Sequence, residues 1–149
     1  MKTSSVSQPD VLLINRSRDG LLVRSSLLKD LGYRVAVAQT GEEGLKLFEA
    51  SAFDVVVADY RMPRMNGVEL IERIRKVDPQ ARVILLSGQV EVLALTTENT
   101  GADAVLAKSA NEATQLARSI KRLLNRPAPR KPPASQTASA AVLARAVGR

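Results

Sequence analysis

Three polar residues, Asp59, Ser87 and Lys108, each follow directly after a short apolar run, and together they could carry phosphoryl chemistry. The chain has neither Cys nor His, which excludes disulfides, thiolate nucleophiles and imidazole bases or ligands. Chemistry must therefore rest on carboxylates, hydroxyls, Lys and Arg. A carboxylate can accept a phosphoryl group, while a hydroxyl and an ammonium hold its oxygens as negative charge develops. The three residues predict such a site, provided that the fold brings them together.

Five short apolar runs, rich in Val, Ile and Leu and bounded by polar or turn residues, predict five strands. They cover residues 11–14, 33–38, 54–58, 82–86 and 104–107. Their strict alternation with helical segments predicts a parallel sheet with helices on both faces. Ligands of such sheets bind just beyond the carboxyl ends of the strands. Asp59, Ser87 and Lys108 lie at those ends, as does the pair Asn15-Arg16 after the first strand.

Segments with helical spacing of apolar residues separate the runs. The predicted helices cover residues 18–31, a stretch beginning at 40, and residues 67–77, 90–99 and 113–124. The second begins at Thr40, with Glu43 three residues later, a spacing typical of a capping box. The third ends at Asp78-Pro79. The fourth has the weakest pattern, whereas the fifth has a regular three-four repeat with basic residues opposite.

The sequence around Asp59 resembles the phosphoacceptor signature of bacterial response-regulator receiver domains. Asp59 closes the third strand and is followed by Met62-Pro63 and then by Asn66-Gly67, at the spacing that this family shows. Ser87 and Lys108 also stand where the family has its hydroxyl and its lysine. Each piece is weak alone, but their combination with five β/α units is specific.

The resemblance covers residues 9–125 and implies a flavodoxin-like (βα)5 three-layer sandwich with a five-stranded parallel sheet in the order 2-1-3-4-5. It implies that Asp59 is phosphorylated by a histidine kinase or a phosphotransfer protein, with Mg²⁺ assisting. Ser87 and Lys108 would then sense the phosphoryl group and shift the last two helices.

The expected metal pocket is degenerate, because Asn15-Arg16 replaces the two adjacent acids that the family carries after its first strand. Mg²⁺ prefers anionic oxygen ligands, and Arg16 offers none. We therefore expect Mg²⁺ to bind weakly or not at all. Arg16 either takes over the ion's role through a contact with Asp59 or points to solvent. The residues of this pocket are Asn15, Arg16, Asp59 and Arg61, and those expected to control access to it are Arg61, Gly88 and Gln89.

Two further positions depart from the family. Val105 stands three residues before Lys108, where many receivers have Tyr or Phe, so an aromatic switch is absent. Ser109 follows Lys108 where the family has a proline after a cis bond. A cis bond before a non-proline residue costs about 2.5–4 kcal/mol, so we expect a trans bond, which could move the Lys108 ammonium away from the pocket.

The charge is divided unevenly along the chain. The net charge is +7, yet residues 113–149 hold eight Lys or Arg and no acid. We expect a flexible N-terminus at 1–8, a receiver domain at 9–126 and a disordered, basic, Pro/Ala-rich tail at 127–149. No stretch is apolar enough to span a membrane, so a cytoplasmic location is expected.

The predicted function is a stand-alone receiver in phosphorelay signalling, with weak or absent Mg²⁺-dependent phosphorylation of Asp59. The alternative is a phosphorylation-independent pseudo-receiver that binds proteins.

Expected partners are a histidine kinase or phosphotransfer protein and a downstream protein, with a homodimer through helices four and five as an option. Nucleic-acid binding through the basic end is less favoured, because no aromatic residues accompany it. An enzyme is not expected, since no strand is followed by a Gly-rich nucleotide loop. The basic cluster consists of Arg118, Lys121, Arg122, Arg126, Arg130 and Lys131.

Overall fold

The computed structural model describes residues 8–126, which form one parallel five-stranded sheet with helices on both faces. In chain order the strands are β1 (Asp10–Ile14), β2 (Arg34–Ala38), β3 (Val55–Asp59), β4 (Val83–Ser87) and β5 (Ala104–Ala107). Their order across the sheet is β2-β1-β3-β4-β5. The predicted flavodoxin-like topology is therefore confirmed.

The helices alternate with the strands, and the first four begin at side-chain caps, whereas the fifth has no side-chain hydrogen bond at its N-cap. They are α1 (Arg18–Asp30), α2 (Gly41–Ala50), α3 (Gly67–Val77), α4 (Thr97–Thr100) and α5 (Glu112–Leu124). Asn66 and Glu69 form a complete capping box before α3. At α2 the Thr40 side chain accepts the Glu43 amide, but Glu43 Oε1 accepts the amide of Gln39 instead of that of Thr40. The expected box at Thr40 is therefore only half formed.

Two buried clusters, one on each face of the sheet, hold the layers together. Alternate strand residues point to opposite faces, so Ile14 and Ala58 pack towards the face covered by α2 and α3. Leu13 and Val57 pack towards α1 and α5. Burying one such Val, Leu or Ile side chain stabilises the fold by about 1.5–3 kcal/mol. The apolar runs of β3 and β4 are buried on both faces, as their near-continuous sequence predicts.

The fourth helix is much shorter than the predicted range 90–99, and that prediction was wrong in extent. α4 is confined to Thr97–Thr100, and a separate turn precedes it. In this turn the Leu95 amide donates to the Val90 carbonyl at 2.9 Å and the Ala94 amide donates to the Glu91 carbonyl at 3.2 Å. Ala94 has a φ of 51°. This pattern is a Schellman motif, which ends a helical turn at a left-handed residue.

The predicted N-terminal segment and basic tail lie almost entirely outside the described residues. Of the part that the structure describes, no helix is long and apolar enough to cross a membrane.

Candidate functional site

An open cleft of about 490 Å³ lies at the carboxyl edge of the sheet. Strand register places it there, because Ile14 aligns with Ala58, Asp59 with Leu86, and Ser87 with Ala107. The ends of β1, β3, β4 and β5 therefore meet. The cleft brings together all eight residues that the sequence singled out, together with Ser17. The lining is Asn15, Arg16, Ser17, Asp59, Arg61, Ser87, Gly88, Gln89 and Lys108.

Asp59 is fixed at the last position of β3, with only 3% of its surface exposed. Beyond it, the Tyr60 amide donates to Leu86 O at 2.7 Å, and the Gly67 amide donates to Tyr60 O at 2.8 Å. A Cβ at Gly67 would lie 2.5 Å from Leu85 Cδ1 and 2.7 Å from the carbonyl oxygen of Asp59. Only glycine allows the loop to return this closely to the strand, which accounts for the Asn66-Gly67 motif.

The ammonium of Lys108 makes an ion pair with Oδ1 of Asp59. Oδ1 is buried and accepts no hydrogen bond from any group in the described part of the chain. The contact with Lys108 therefore offsets the cost of burying this charged oxygen. Peptide bonds in that part are all trans, as expected for Lys108–Ser109. The trans bond does not displace Lys108 from the pocket: its backbone amide donates to the Ser87 carbonyl oxygen at 3.0 Å, and its long side chain reaches the carboxylate of Asp59.

Ser87 and Gln89 connect the cleft floor to its mouth. Ser87 is buried, and its hydroxyl oxygen accepts the amide of Gln89 at 2.9 Å. The Gln89 side-chain oxygen accepts a hydrogen bond from the guanidinium of Arg61. Arg61 and Gln89 thus link the β3–α3 and β4–α4 loops at the cleft that Asp59 also lines.

The first-strand pair departs from a metal site in structure as well as in sequence. Asn15 is 2% exposed, and its Oδ1 accepts the amide of Ser17 at 2.9 Å, which leads the chain into α1. Arg16 is exposed and makes no ion pair with any described residue, so the hypothesised contact with Asp59 is not formed. Within residues 8–126 no three acidic or other metal-ligating side chains cluster. One carboxylate already paired with a lysine does not fit Mg²⁺.

Ser17 is the lining residue that sequence reasoning missed. It is the N-cap of α1, and its hydroxyl accepts the amide of Gly20 at 3.1 Å. A serine just before an amphipathic segment is itself a capping signal, and could have placed this residue at the edge of the cleft.

Comparisons with known proteins all point to the same family. The model of the response regulator receiver domain matches residues 11–121. A response regulator receiver protein of Anaeromyxobacter is 36% identical over 79 residues, covering 53% of this chain and 33% of the relative. The transcriptional regulatory protein ZraR of Klebsiella oxytoca is 31% identical over 88 residues, covering 59% of this chain and 20% of the relative. The chain therefore corresponds to a third or less of the length of these two relatives.

Solved structures agree with this assignment. The response regulator TrrA of Thermotoga maritima, solved in complex with Mg²⁺-BeF, has a TM-score of 0.72 and 29% identity, covering 78% of this chain and all of that one. A receiver domain protein of Clostridium thermocellum has a TM-score of 0.71 and 28% identity, covering 78% and 94% of the two chains. This chain belongs to the response-regulator receiver domain family, the signalling modules of two-component systems.

Proposed function

We propose that this chain acts as a receiver in phosphorelay signalling in which Asp59 occupies the phosphoacceptor position and Mg²⁺-dependent phosphorylation is weak or absent. One observation carries the proposal. Asp59 shares its cleft with Ser87 and Lys108, the groups that phosphoryl acceptance needs, but with no second carboxylate from the described part of the chain. The acceptor chemistry is retained, whereas the metal ligands are not.

Phosphoryl transfer at this site would use the chain's own cations. A carboxylate oxygen of Asp59 attacks the phosphorus of the donor, the bond from phosphorus to the donor atom breaks, and the leaving group keeps that electron pair. Lys108 and the Ser87 hydroxyl donate to the phosphoryl oxygens, which spreads the negative charge of the transition state. Lys108 first has to exchange its contact with the carboxylate for one with the phosphoryl group, which lowers the driving force for transfer.

Output would pass through the segment after β4. Gly88 and Gln89 line both the cleft and a second groove of about 550 Å³, which extends to Val92, Val105 and Gln115. Val92 is 82% exposed. A shift of Ser87 would move this segment, which we propose as the surface for a downstream protein or for a second copy of the chain through α4 and α5.

A second candidate is a pseudo-receiver that binds proteins without phosphorylation. The Lys108–Asp59 contact favours it, because this contact already neutralises the carboxylate that would otherwise accept the phosphoryl group. The proposed upstream partner is a histidine kinase or a phosphotransfer protein, and the proposed compartment is the cytoplasm, where ATP is the phosphoryl source. Nucleic-acid binding through the basic end remains the less favoured alternative.

Acetyl phosphate treatment followed by intact-mass measurement tests the proposal. The full chain is incubated with and without Mg²⁺, beside Asp59→Asn and the matched control Asp30→Asn, an exposed carboxylate outside the cleft. We expect partial addition of one phosphoryl group, with little response to Mg²⁺, in the native chain and in Asp30→Asn. Asp59→Asn should remain unmodified.

Three other results have distinct meanings. Stoichiometric, strictly Mg²⁺-dependent modification would overturn the proposed weak metal dependence. Modification that persists in Asp59→Asn would overturn the acceptor assignment. A complete lack of modification in all chains would favour the pseudo-receiver.

A further inference from the structure

Positive charge dominates the cleft around Asp59. Arg16, Arg61 and Lys108 line it, and among residues 8–126 Asp59 is the only carboxylate in the lining, which gives these residues a formal charge of +2. Charges that line one cleft interact more strongly than they would in bulk water, because the effective dielectric near a protein surface is lower. A divalent cation would therefore meet net repulsion in this cleft, whereas an anion would meet net attraction.

Hydrogen-bond donors are also in excess. The Ser87 oxygen accepts from the Gln89 amide, which leaves its own hydrogen available to donate. One terminal nitrogen of Arg61 donates to Gln89. A guanidinium carries five N–H donors, so others remain available. The Arg16 side chain makes no hydrogen bond or ion pair within residues 8–126. The cleft thus presents a hydroxyl, an ammonium and two guanidinium groups to one open space.

We propose that this cleft binds a phosphate-class oxyanion non-covalently and without a divalent cation. Arginine forks match the oxygens of phosphate in geometry, and lysine adds a mobile charge. Ser17 places the beginning of α1, the positive end of its dipole, at the same edge. The volume of about 490 Å³ and the open mouth admit the phosphoryl group of a larger molecule as readily as a free ion.

The oxyanion competes with Asp59 for Lys108. In a site organised by a metal, the acceptor carboxylate supports ligand binding because it holds the metal. In this cleft the same carboxylate repels the anion and occupies the ammonium. Removing the charge of Asp59 therefore strengthens oxyanion binding, the opposite of what a metal-mediated site would do. The inference does not depend on whether Asp59 is phosphorylated, since Asp59→Asn cannot be.

Titration calorimetry of the full chain with inorganic phosphate, in EDTA and at constant ionic strength set with chloride, tests the proposal. We expect saturable binding with a dissociation constant on the order of 1 mM at low salt. Arg16→Gln and Arg61→Gln should each weaken it about threefold to tenfold, and Asp59→Asn should tighten it about tenfold. Arg18→Gln is the matched control, because Arg18 is an exposed arginine near Arg16 that does not line this cleft.

Phosphoserine titrated in parallel separates the two sources of the ligand. Equal or tighter binding of the monoester indicates a phosphoryl group carried by another molecule, while selective binding of inorganic phosphate indicates a free ion. The proposal is overturned by absence of saturable binding, by a requirement for Mg²⁺, by weaker binding in Asp59→Asn, or by an Arg18→Gln loss equal to that of Arg16→Gln. Circular dichroism of each variant confirms that these substitutions leave the fold intact.

Discussion

Lys108 reaches across the end of β4 to contact Asp59. The two residues belong to the ends of β5 and β3, and β4 lies between these strands in the sheet. The pair is asymmetric: the Asp59 side chain is 3% exposed, whereas that of Lys108 is 32% exposed. The lysine can turn to water if it loses its partner, but the carboxylate cannot.

This asymmetry predicts that replacing Lys108 and replacing Asp59 change the free energy of unfolding by different amounts. Lys108→Met should lower the free energy of unfolding by about 2 kcal/mol, less than for a fully buried pair because Lys108 is partly solvated. Asp59→Asn should change it by less than about 1 kcal/mol, because an amide costs less to bury than an unpaired charge. Urea denaturation of both variants and of the double variant measures this. If Asp59→Asn proves the more destabilising change, the buried carboxylate does not need Lys108 more than Lys108 needs the carboxylate.

Restoring acids at the first-strand pair should create a metal site. The Asn15→Asp, Arg16→Asp double variant keeps the acceptor for the Ser17 amide and adds two carboxylates beside Asp59. We expect Mg²⁺ binding with a dissociation constant on the order of 1 mM, where the native chain binds none in that range. Without Mg²⁺ the variant should be less stable, because like charges repel.

Calorimetric titration with Mg²⁺ provides the measurement, and Arg18→Asp, which makes the same Arg-to-Asp change outside the cleft, is the control for that part of the charge change. Millimolar Mg²⁺ binding by the native chain that disappears in Asp59→Asn would contradict the conclusion that this lining does not fit the ion.

Asp10 and Arg34, aligned across β1 and β2, should give stability that depends on pH. The carboxylate accepts from Nε and a terminal nitrogen of Arg34, both at 2.9 Å, and this hydrogen bonding lowers the pKa of Asp10 below its ordinary 3.8. A depressed pKa stabilises the fold above the unfolded value, and that contribution is lost as the pH falls through the folded value. Asp10→Asn should therefore lower the urea midpoint at neutral pH and converge with the native chain below pH 3.8.

Urea midpoints of both chains from neutral pH downwards, at low and high salt, check this prediction. High salt should shrink the neutral-pH difference because both side chains are partly exposed. A difference that stays constant on acidification would mean that the ion pair contributes nothing.

The sequence predicted a parallel sheet and the strand-end residues of the cleft because both follow from periodicity, whereas the strand order came from the family resemblance. Parallel strands end at one edge, so the residues after each apolar run had to meet, and Asn15, Asp59, Ser87 and Lys108 do. The partner of Asp59 was not predictable in this way. Both Arg16 and Lys108 are long cations at that edge, and the choice between them depends on side-chain reach and on the Asn15–Ser17 turn.

The length of α4 was predicted wrongly for a different reason. Apolar spacing alone favoured a helix through Ala94, but local hydrogen bonds end the first turn there, and Thr96 then caps a new helix. A non-glycine residue in the left-handed region gives no sequence signal of its own, since alanine is otherwise the best helix former.

Ala94→Gly should stabilise the protein. A left-handed conformation costs a residue with a Cβ about 1–2 kcal/mol, and glycine avoids this while losing about 0.5–1 kcal/mol through its greater freedom when unfolded. We expect a net gain of about 0.5 kcal/mol in the free energy of unfolding, measured by urea denaturation. The same substitution in a helix interior, Ala117→Gly in α5, should instead cost about 1 kcal/mol. Equal losses at both positions would mean that residue 94 is helical in solution, and that α4 extends back towards the cleft.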